Sequence, residues 1–168
     1  PDDGDVNFND LEVPNRNLYT FQAEIFGDAE TDGLWEYSYN RIYYYNTIIE
    51  DVMNVEDATL DKKRSLRAEA LLGRAFEYLT LVNAYANHYD KNTAATDLGV
   101  PLMLDKDINK SNLERATVQQ VYDQILTDLD TAALYLPDKQ KTAYRASKPV
   151  GLGMLARMYL YMGEWAKS

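Results

Sequence analysis

The sequence predicts an all-α fold, and three observations lead to this prediction. Apolar residues recur at intervals of three and four along several segments, which is the spacing of one face of a helix. No segment sustains the alternation of apolar and polar residues that is typical of a half-buried strand. The segment from Ala156 to Trp165 is similar to a tetratricopeptide helix, although no regular repeat is visible. We therefore expect tetratricopeptide-like helical hairpins, arranged as two antiparallel pairs that are joined by a long loop.

The N-terminal part differs from the rest of the chain in composition. Residues 1–32 are acidic and rich in asparagine, and they lack a clean period, so we predict an irregular N-terminal arm there. Residues 33–168 carry the helical patterns, so we predict a single helical domain over that range. Because the chain stops just after the last pattern, we expect this domain to be incomplete at its C-terminal end.

The first predicted pair of helices covers residues 33–55 and 61–86. The linker between them, residues 56–60, is short, which favours an antiparallel hairpin. Residues 87–116 follow as a long connection that contains glycine, proline and many asparagine and aspartate residues. Loops of this length inside a compact domain are usually functional or poorly ordered.

The second predicted pair begins at a capping box, in which Thr117 is followed three residues later by Gln120. Its first helix has apolar residues on one side only, so we expect it to be an outer, solvated helix that ends at Pro137. Ser147 is predicted to cap the second helix of the pair. Residues 150–162 are nearly all apolar, and from this we expect that helix to be buried on all sides.

Composition and charge exclude several classes of function. With 17 basic and 27 acidic residues the net charge is −10, which argues against a nucleic-acid binder because neutralising phosphates needs a basic surface. The chain has no cysteine, which excludes thiolate metal sites and a cysteine nucleophile. The run Asp105-x-Asp107-x-Asn109 resembles the opening of a calcium loop but lacks the glycine that an EF-hand requires. We predict no metal and no cofactor, and no catalytic role for His88, which has no nucleophile motif beside it.

Tyrosine is the most distinctive residue type, since the chain contains 14 of them. A tyrosine ring combines apolar area with a hydroxyl group, which suits packing and ligand binding alike. Tyr43, Tyr44 and Tyr45 diverge by about 100° per residue on a helix, so they cannot all face one core. We expect most of the tyrosines to pack between helices. We name Tyr44 on the helix, and Tyr89 and Tyr144 in surface loops, as candidate ligand-binding residues.

Two arginines, Arg74 and Arg157, lie within the most apolar of the predicted helices. A charge that is buried in a protein must be paired, because an isolated ion is strongly disfavoured away from water. Acidic residues that could serve as partners are Glu69, Glu77 and Asp128. The sequence therefore predicts a network of structural ion pairs that links the two hairpins.

Several ordered blocks of residues resemble the SusD/RagB family of outer-membrane nutrient-binding lipoproteins. They are Trp35-x-x-x-Tyr39-x-x-Ile42-x-x-x-Asn46-x-x-Ile49, Ala68-Glu69-Ala70-x-x-x-Arg74-Ala75-Phe76-x-Tyr78-x-x-Leu81-Val82, Gly99-Val100-Pro101-Leu102, Arg115-Ala116-Thr117-Val118-x-x-Val121-Tyr122-x-x-Ile125-x-x-Asp128-Leu129, Leu136-Pro137, Arg145-Ala146-Ser147-Lys148 and Leu155-Ala156-Arg157-x-Tyr159-Leu160-Tyr161-x-Gly163-x-Trp165. Each block alone is a weak signal, but their order and spacing together are specific. The resemblance covers residues from about 35 to the C-terminus.

The resemblance implies a surface-exposed location at the cell outer membrane and an N-terminal lipid anchor, whose cysteine this chain lacks. It also implies a SusC-like TonB-dependent transporter as partner, to which the protein passes oligosaccharides, polysaccharides or peptides. Members of the family are considerably longer, so the chain is similar to their N-terminal helical part. We therefore expect weak or no glycan binding by these residues alone.

The function that we predict is the non-catalytic binding of glycans at the cell surface, as a component of a nutrient uptake system. The alternative is a generic tetratricopeptide-like scaffold that binds a peptide or protein partner in its groove. A glycan binder should show clustered aromatic rings beside asparagine or aspartate side chains that are free to bind a ligand. A scaffold should show a groove of packed helices without such rings.

Overall fold

The computed structural model describes residues 13–27, 31–110 and 112–168. It is mostly helical and divides into two compact units, Pro1–Glu36 and Tyr37–Ser168. The first unit contains α1 (Val13–Tyr19) and the start of α2. Much of the predicted N-terminal arm lies in residues 1–12 and 28–30, outside the described residues, and the domain boundary at residue 32 stays a prediction.

The first predicted hairpin is present as α2 (Gly33–Asp51) and α3 (Leu60–Tyr85), with a short 3-10 helix, Val52–Asn54, between them. The antiparallel arrangement follows from the pairs that join the two helices. Near the start of the second unit Arg41 meets Glu77, and further along α2 the carbonyl of Ile49 accepts a bond from Arg67. As the position on α2 advances, the partner on α3 moves back along the chain. The helices therefore lie side by side in opposite directions.

The long connection after α3 contains two short strands, so the expectation of an all-α chain is wrong at this point. Strands β1 (Leu98–Pro101) and β2 (Arg115–Thr117) pair antiparallel, with an irregularity in the register between them. Gly99 permits the close approach of the two strands, because a Cβ atom there would come within 3.0 Å of the carbonyl oxygens of Ala116 and Thr117 in β2. Strands of three and four residues are too short to show alternation. Their pairing depends on how the ends of the connection meet.

The second predicted hairpin is formed by α4 (Val118–Tyr135) and α5 (Lys148–Tyr161). The predicted capping box is confirmed: the Thr117 hydroxyl accepts a bond from the Gln120 backbone, and the Gln120 side chain accepts one from the Thr117 backbone. One face of α4 packs against α3, and α5 packs against α4. The largest fully buried apolar side chains of the second unit come from α2, α3, β1, α4 and α5: Ile42, Tyr78, Leu81, Val82, Val100, Val118, Val121, Tyr122, Ile125, Leu129 and Met158.

The expectation that the last helix is buried on all sides is wrong. Gly151, Met154 and Met158 are buried at helical spacing, whereas Leu152 and Leu160 on other faces are about half exposed, at 51% and 49%. An all-apolar sequence carries no signal of which face is covered, because the periodicity that distinguishes faces is missing. In the part of the chain that the structure describes, no helix is both long enough and apolar enough to cross a membrane.

Three tyrosines that are buried or partly buried predict a loss of folding stability at high pH. Burial, together with the neighbouring Tyr161 and Tyr89 hydroxyls, raises the pKa of Tyr122 to about 12, and burial also raises the pKa of Tyr78 and of Tyr39. The phenols of the unfolded chain release their protons at about pH 10, so the contribution of these tyrosines to the free energy of unfolding is fully present below that pH. This contribution is lost as the pH rises through the higher pKa values of the folded state.

We therefore expect the melting temperature to fall steeply between pH 10 and pH 12, as measured by circular dichroism. In Tyr122→Phe, which keeps the ring, the fall over this interval should be smaller. Equal falls in the variant and the parent would contradict the assignment of this sensitivity to Tyr122.

Candidate functional site

The exposed side of α2 carries a pair of aromatic rings next to a cavity. Tyr43 is 50% exposed and Tyr44 is 59% exposed, and their ring centroids lie 5.6 Å apart in an edge-to-face arrangement. The cavity, of about 260 Å³, lies between α2 and residues 103–106. Its walls are formed by Tyr39, Asn40, Tyr43, Asn46, Met103, Asp105 and Lys106.

Residues 103–106 form the far wall of this cavity, and side chains of α2 and α3 hold the segment 101–105, which includes most of that wall, to the helices. The Asn46 side-chain amide donates to the carbonyl oxygens of Met103, at 2.8 Å, and Asp105, at 3.2 Å. The Tyr78 hydroxyl donates to the Met103 carbonyl at 2.8 Å and accepts from the Met103 backbone N–H at 2.7 Å. The Tyr39 hydroxyl donates to the carbonyl of Pro101 at 2.9 Å. The loop is therefore fixed to α2 and α3 before any ligand binds.

Asn46 is in turn held by a buried ion pair. The Arg74 guanidinium donates to the Asn46 side-chain oxygen at 2.9 Å and makes a two-pronged contact with Asp128, at 2.8 and 2.7 Å. Gln124 donates a further bond to the Asp128 carboxylate at 2.9 Å. The side chains of Arg74 and Asp128 are 7% and 2% exposed, so this pair is cut off from water. It links α3 to α4, which confirms the predicted ion pair between the hairpins.

The other two predicted acidic partners, Glu77 and Glu69, pair with arginines other than Arg74 and Arg157. Glu77 pairs with Arg41 of α2, and Glu69 pairs with Arg145 of the loop before α5. The predicted burial of Arg157 is wrong, since this residue is exposed. It projects from the uncovered part of α5.

The rim of the cavity is rich in acidic groups. Lys106 contacts the carboxylates of Asp51 and Glu50, and the hydrogen bond to Asp51 raises the pKa of the lysine. Asp107 accepts hydrogen bonds from the backbone and side chain of Asn109, which lower the pKa of its carboxyl. The lysine at the rim is thus already engaged by acidic partners, and the surrounding charge is negative.

The three sequence-predicted ligand residues lie in three different surroundings. Tyr44 is exposed beside the cavity. Tyr144 is fully exposed, on a loop anchored by the contacts of Arg145 and Gln140 with Glu69. It overhangs a separate groove of about 460 Å³ between α2, α3 and that loop.

The expectation that Tyr89 lies at the surface is wrong, because it is only 9% exposed. Its hydroxyl donates to Gln119 at 2.9 Å, and its ring lies 4.7 Å from that of Tyr122. A tyrosine after the end of a helix can fold back onto the next helix, and nothing in the local sequence indicates this. Its predicted role in ligand binding stays untested.

The tyrosines as a group are also more exposed than expected. Half of the 14 have at least a third of their surface in contact with water: Tyr19, Tyr37, Tyr43, Tyr44, Tyr135, Tyr144 and Tyr161. The expectation that most of them pack between helices is therefore wrong. A ring can lie at a position that fits the helical period and still be exposed. The period shows which residues share a face of the helix, and it does not show whether another element packs against that face.

The polar lining of the cavity was missed at the sequence level. Asn40 precedes Tyr43 and Tyr44 by three and four residues, which places it on the same side of a helix, and this spacing could have indicated it. Asp105 and Lys106 are separated from α2 by more than fifty residues of chain. No local pattern could have placed them there. Within the described ranges no three His, Asp or Glu side chains are grouped so as to hold a metal ion.

The chain is similar in sequence and in fold to proteins of one family. The sequence model of a SusD-like family, described as starch-binding and associating with the outer membrane, matches residues 5–160. A SusD superfamily protein from Bacteroides fragilis is 28% identical, with a TM-score of 0.79 over 96% of this chain and 38% of that one. A SusD-like carbohydrate binding protein from Bacteroides vulgatus is 25% identical, with a TM-score of 0.71 over 80% of this chain and 28% of that one.

A third structure, of a laminarin-binding SusD-like protein, shares the fold at 24% identity. The TM-score is 0.68, over 82% of this chain and 28% of that one. The chain thus spans between 28% and 38% of the length of these three solved structures. No curated protein matches it in sequence.

Proposed function

Because this chain belongs to the SusD-like family, described as starch-binding and associating with the outer membrane, we propose that it is part of a cell-surface glycan-binding protein. The membership confirms the resemblance found in the sequence blocks. The binding is non-catalytic and serves nutrient uptake. Its partner is a SusC-like TonB-dependent transporter, and an N-terminal lipid anchor holds the protein at the outer membrane. The helical hairpins form a tetratricopeptide-like scaffold that carries the binding surface.

The observation that carries this proposal is the match of the family over residues 5–160. The surface of α2 supports it independently of the family. Clustered rings stand beside an amide that is open to solvent, Asn40, which is the arrangement expected of a glycan binder and not of a bare scaffold. The acidic charge of the chain is compatible with uncharged ligands.

A peptide-binding scaffold is the second candidate, and one feature favours it. The groove beneath Tyr144 is lined by Tyr45, Ile48, Leu66 and Leu72, among others, and is more open and larger than the cavity beside Tyr43. An apolar groove between helices suits an amphipathic peptide. The α2 cavity instead has the edge-to-face rings of Tyr43 and Tyr44 beside the exposed amide of Asn40.

Titration of the isotope-labelled 168-residue chain with neutral oligosaccharides, followed by nuclear magnetic resonance, tests the proposal. We expect saturable shifts with dissociation constants on the order of 1 mM, since a small and open site gives a small binding energy. The probes are maltohexaose and laminarihexaose, and an apolar helical peptide serves as the comparison. Shifts with the peptide alone would overturn the proposal in favour of the scaffold, and tight binding would contradict the weak affinity expected of these residues.

A further inference from the structure

The cavity beside Tyr43 has the chemistry of a small sugar site. We propose that it is a subsite for one uncharged sugar ring, with the Tyr43 ring, against which Tyr44 packs edge-on, as the stacking surface and with Asn40 and Asp105 as hydrogen-bonding partners. This inference rests on the proposed function and adds to it the location and the class of ligand.

The shape of the site suits one ring of a glycan. A cavity of about 260 Å³ lies just below the range of about 300–1,000 Å³ for pockets that enclose drug-sized ligands. Its lining is mainly apolar, and the Tyr43 ring forms part of it. The face of an aromatic ring carries partial negative charge, so it attracts the slightly positive C–H groups on the face of a pyranose.

The polar groups at the site are open to a ligand. Asn40 is exposed, and its side-chain amide makes no hydrogen bond within residues 13–27, 31–110 and 112–168. An amide can both donate to and accept from a sugar hydroxyl. One oxygen of Asp105 accepts the backbone N–H of Asp107 at 2.7 Å, and the other has, among the residues that the structure describes, only a distant contact with Lys110, at 3.9 Å. That second oxygen can accept a hydroxyl proton.

The charge around the cavity selects against anionic sugars. Four carboxylates, those of Glu50, Asp51, Asp105 and Asp107, surround the two lysines of this region, and Lys106 is already paired with the first two of them. A uronic acid or a sulfated sugar would have to bring a further negative charge into this region. Like charges at close range repel, so we expect uncharged glycans to bind and anionic glycans to be rejected.

The site is also rigid before binding. Its far wall is held by the bonds of Asn46, Tyr78 and Tyr39 to main-chain atoms of residues 101–105. A preformed site loses little conformational freedom when a ligand binds. The buried pair of Arg74 and Asp128 lies behind this wall and holds Asn46 in place. It therefore contributes to binding by positioning Asn46 and does not contact the ligand.

The test is a titration of the full chain with maltohexaose, laminarihexaose and an oligogalacturonate, with the backbone amide signals of residues 40–46 and 103–106 as the local readout. We expect the two neutral sugars to shift these signals and the charged one to leave them unchanged. Tyr43→Ala and Asn40→Ala should each weaken binding about five-fold, whereas Tyr43→Phe should retain the affinity within about two-fold. Tyr135→Ala is the matched control, because Tyr135 is an exposed tyrosine on α4 and should leave affinity unchanged.

The possible failures can be told apart. Binding of neutral sugars that survives Tyr43→Ala, or that is lost in Tyr144→Ala instead, would overturn the subsite and leave the glycan-binding function intact. Equal binding of the oligogalacturonate would overturn the selection for uncharged sugars. No binding of either neutral sugar by the parent chain would overturn both the subsite and the glycan-binding function of these residues. Circular dichroism of each variant checks that it is folded.

Discussion

Replacing Asp128 with alanine is expected to destabilise the protein by about 3–5 kcal/mol, which is the usual effect of removing one partner of a buried ion pair. The Arg74 side chain is only 7% exposed in the parent, and in the variant its guanidinium would lose the two-pronged contact with the Asp128 carboxylate. Within the described part of the chain, only the Asn46 oxygen would remain as an acceptor for it. A cation in such surroundings is poorly solvated, so the folded state loses free energy that the unfolded state keeps.

The measurement is denaturation by urea, with the midpoint and slope compared between variants. The double variant Arg74→Met/Asp128→Leu removes both charges and keeps apolar volume, and it should be considerably more stable than Asp128→Ala. If the double variant is as unstable as the single one, the cause is lost packing and not an unpaired charge. A loss below about 1 kcal/mol in Asp128→Ala would contradict the burial of the pair.

Replacing Asn46 with alanine is expected to have the second largest effect, about 2–4 kcal/mol, because it removes three hydrogen bonds from buried or partly buried polar groups. The Asp105 carbonyl oxygen loses the Asn46 donor and one nitrogen of Arg74 loses its acceptor, whereas the Met103 carbonyl oxygen keeps the Tyr78 hydroxyl as a donor. Residues 103–105 should then separate from α2. Hydrogen exchange of the backbone in this loop should become faster, and the affinity for neutral sugars should fall with it.

Thr47→Ala is the control for this variant. Thr47 is the next residue along α2, and among the described residues its hydroxyl bonds only to the Tyr43 carbonyl of the same helix. We expect a change below about 0.5 kcal/mol for this surface substitution. Equal exchange rates in the loop of Asn46→Ala and of the parent would show that the loop is held by Tyr78 and Tyr39 alone.

The helices were predictable because their signals are local. Thr117 and Gln120 mark the start of α4 by bonds that span three residues, and the spacing of apolar residues marks the lengths of α2 and α3. The need for a partner for Arg74 was also predictable, because a charge in an apolar helix must be paired. Which of the three acidic residues pairs with it was not, since Glu69 and Glu77 bind other arginines in the folded chain.

The candidate site was predictable only in part. Tyr44 was identified from its place in a run of three tyrosines, and Asn40 could have been identified from its spacing to that run. Asp105 was noticed only as part of a rejected calcium motif. Its position at the cavity depends on bonds between residues 57 and 59 apart in the chain. Such contacts depend on the path of the whole connection after α3, which local patterns do not contain.

The amino-acid sequence alone established the helical class, the starts of α2, α3, α4 and α5, the buried Arg74 and the family, because each depends on neighbouring residues or on an ordered series of motifs. Tertiary structure alone decided which faces are covered. In the folded chain Tyr89 is buried, whereas Tyr43, Tyr144 and one side of α5 are exposed to solvent. Two segments of the long connection after α3 pair there as strands. The physical reason is that exposure is a property of what packs against a residue, and the packing partner is usually distant in the chain.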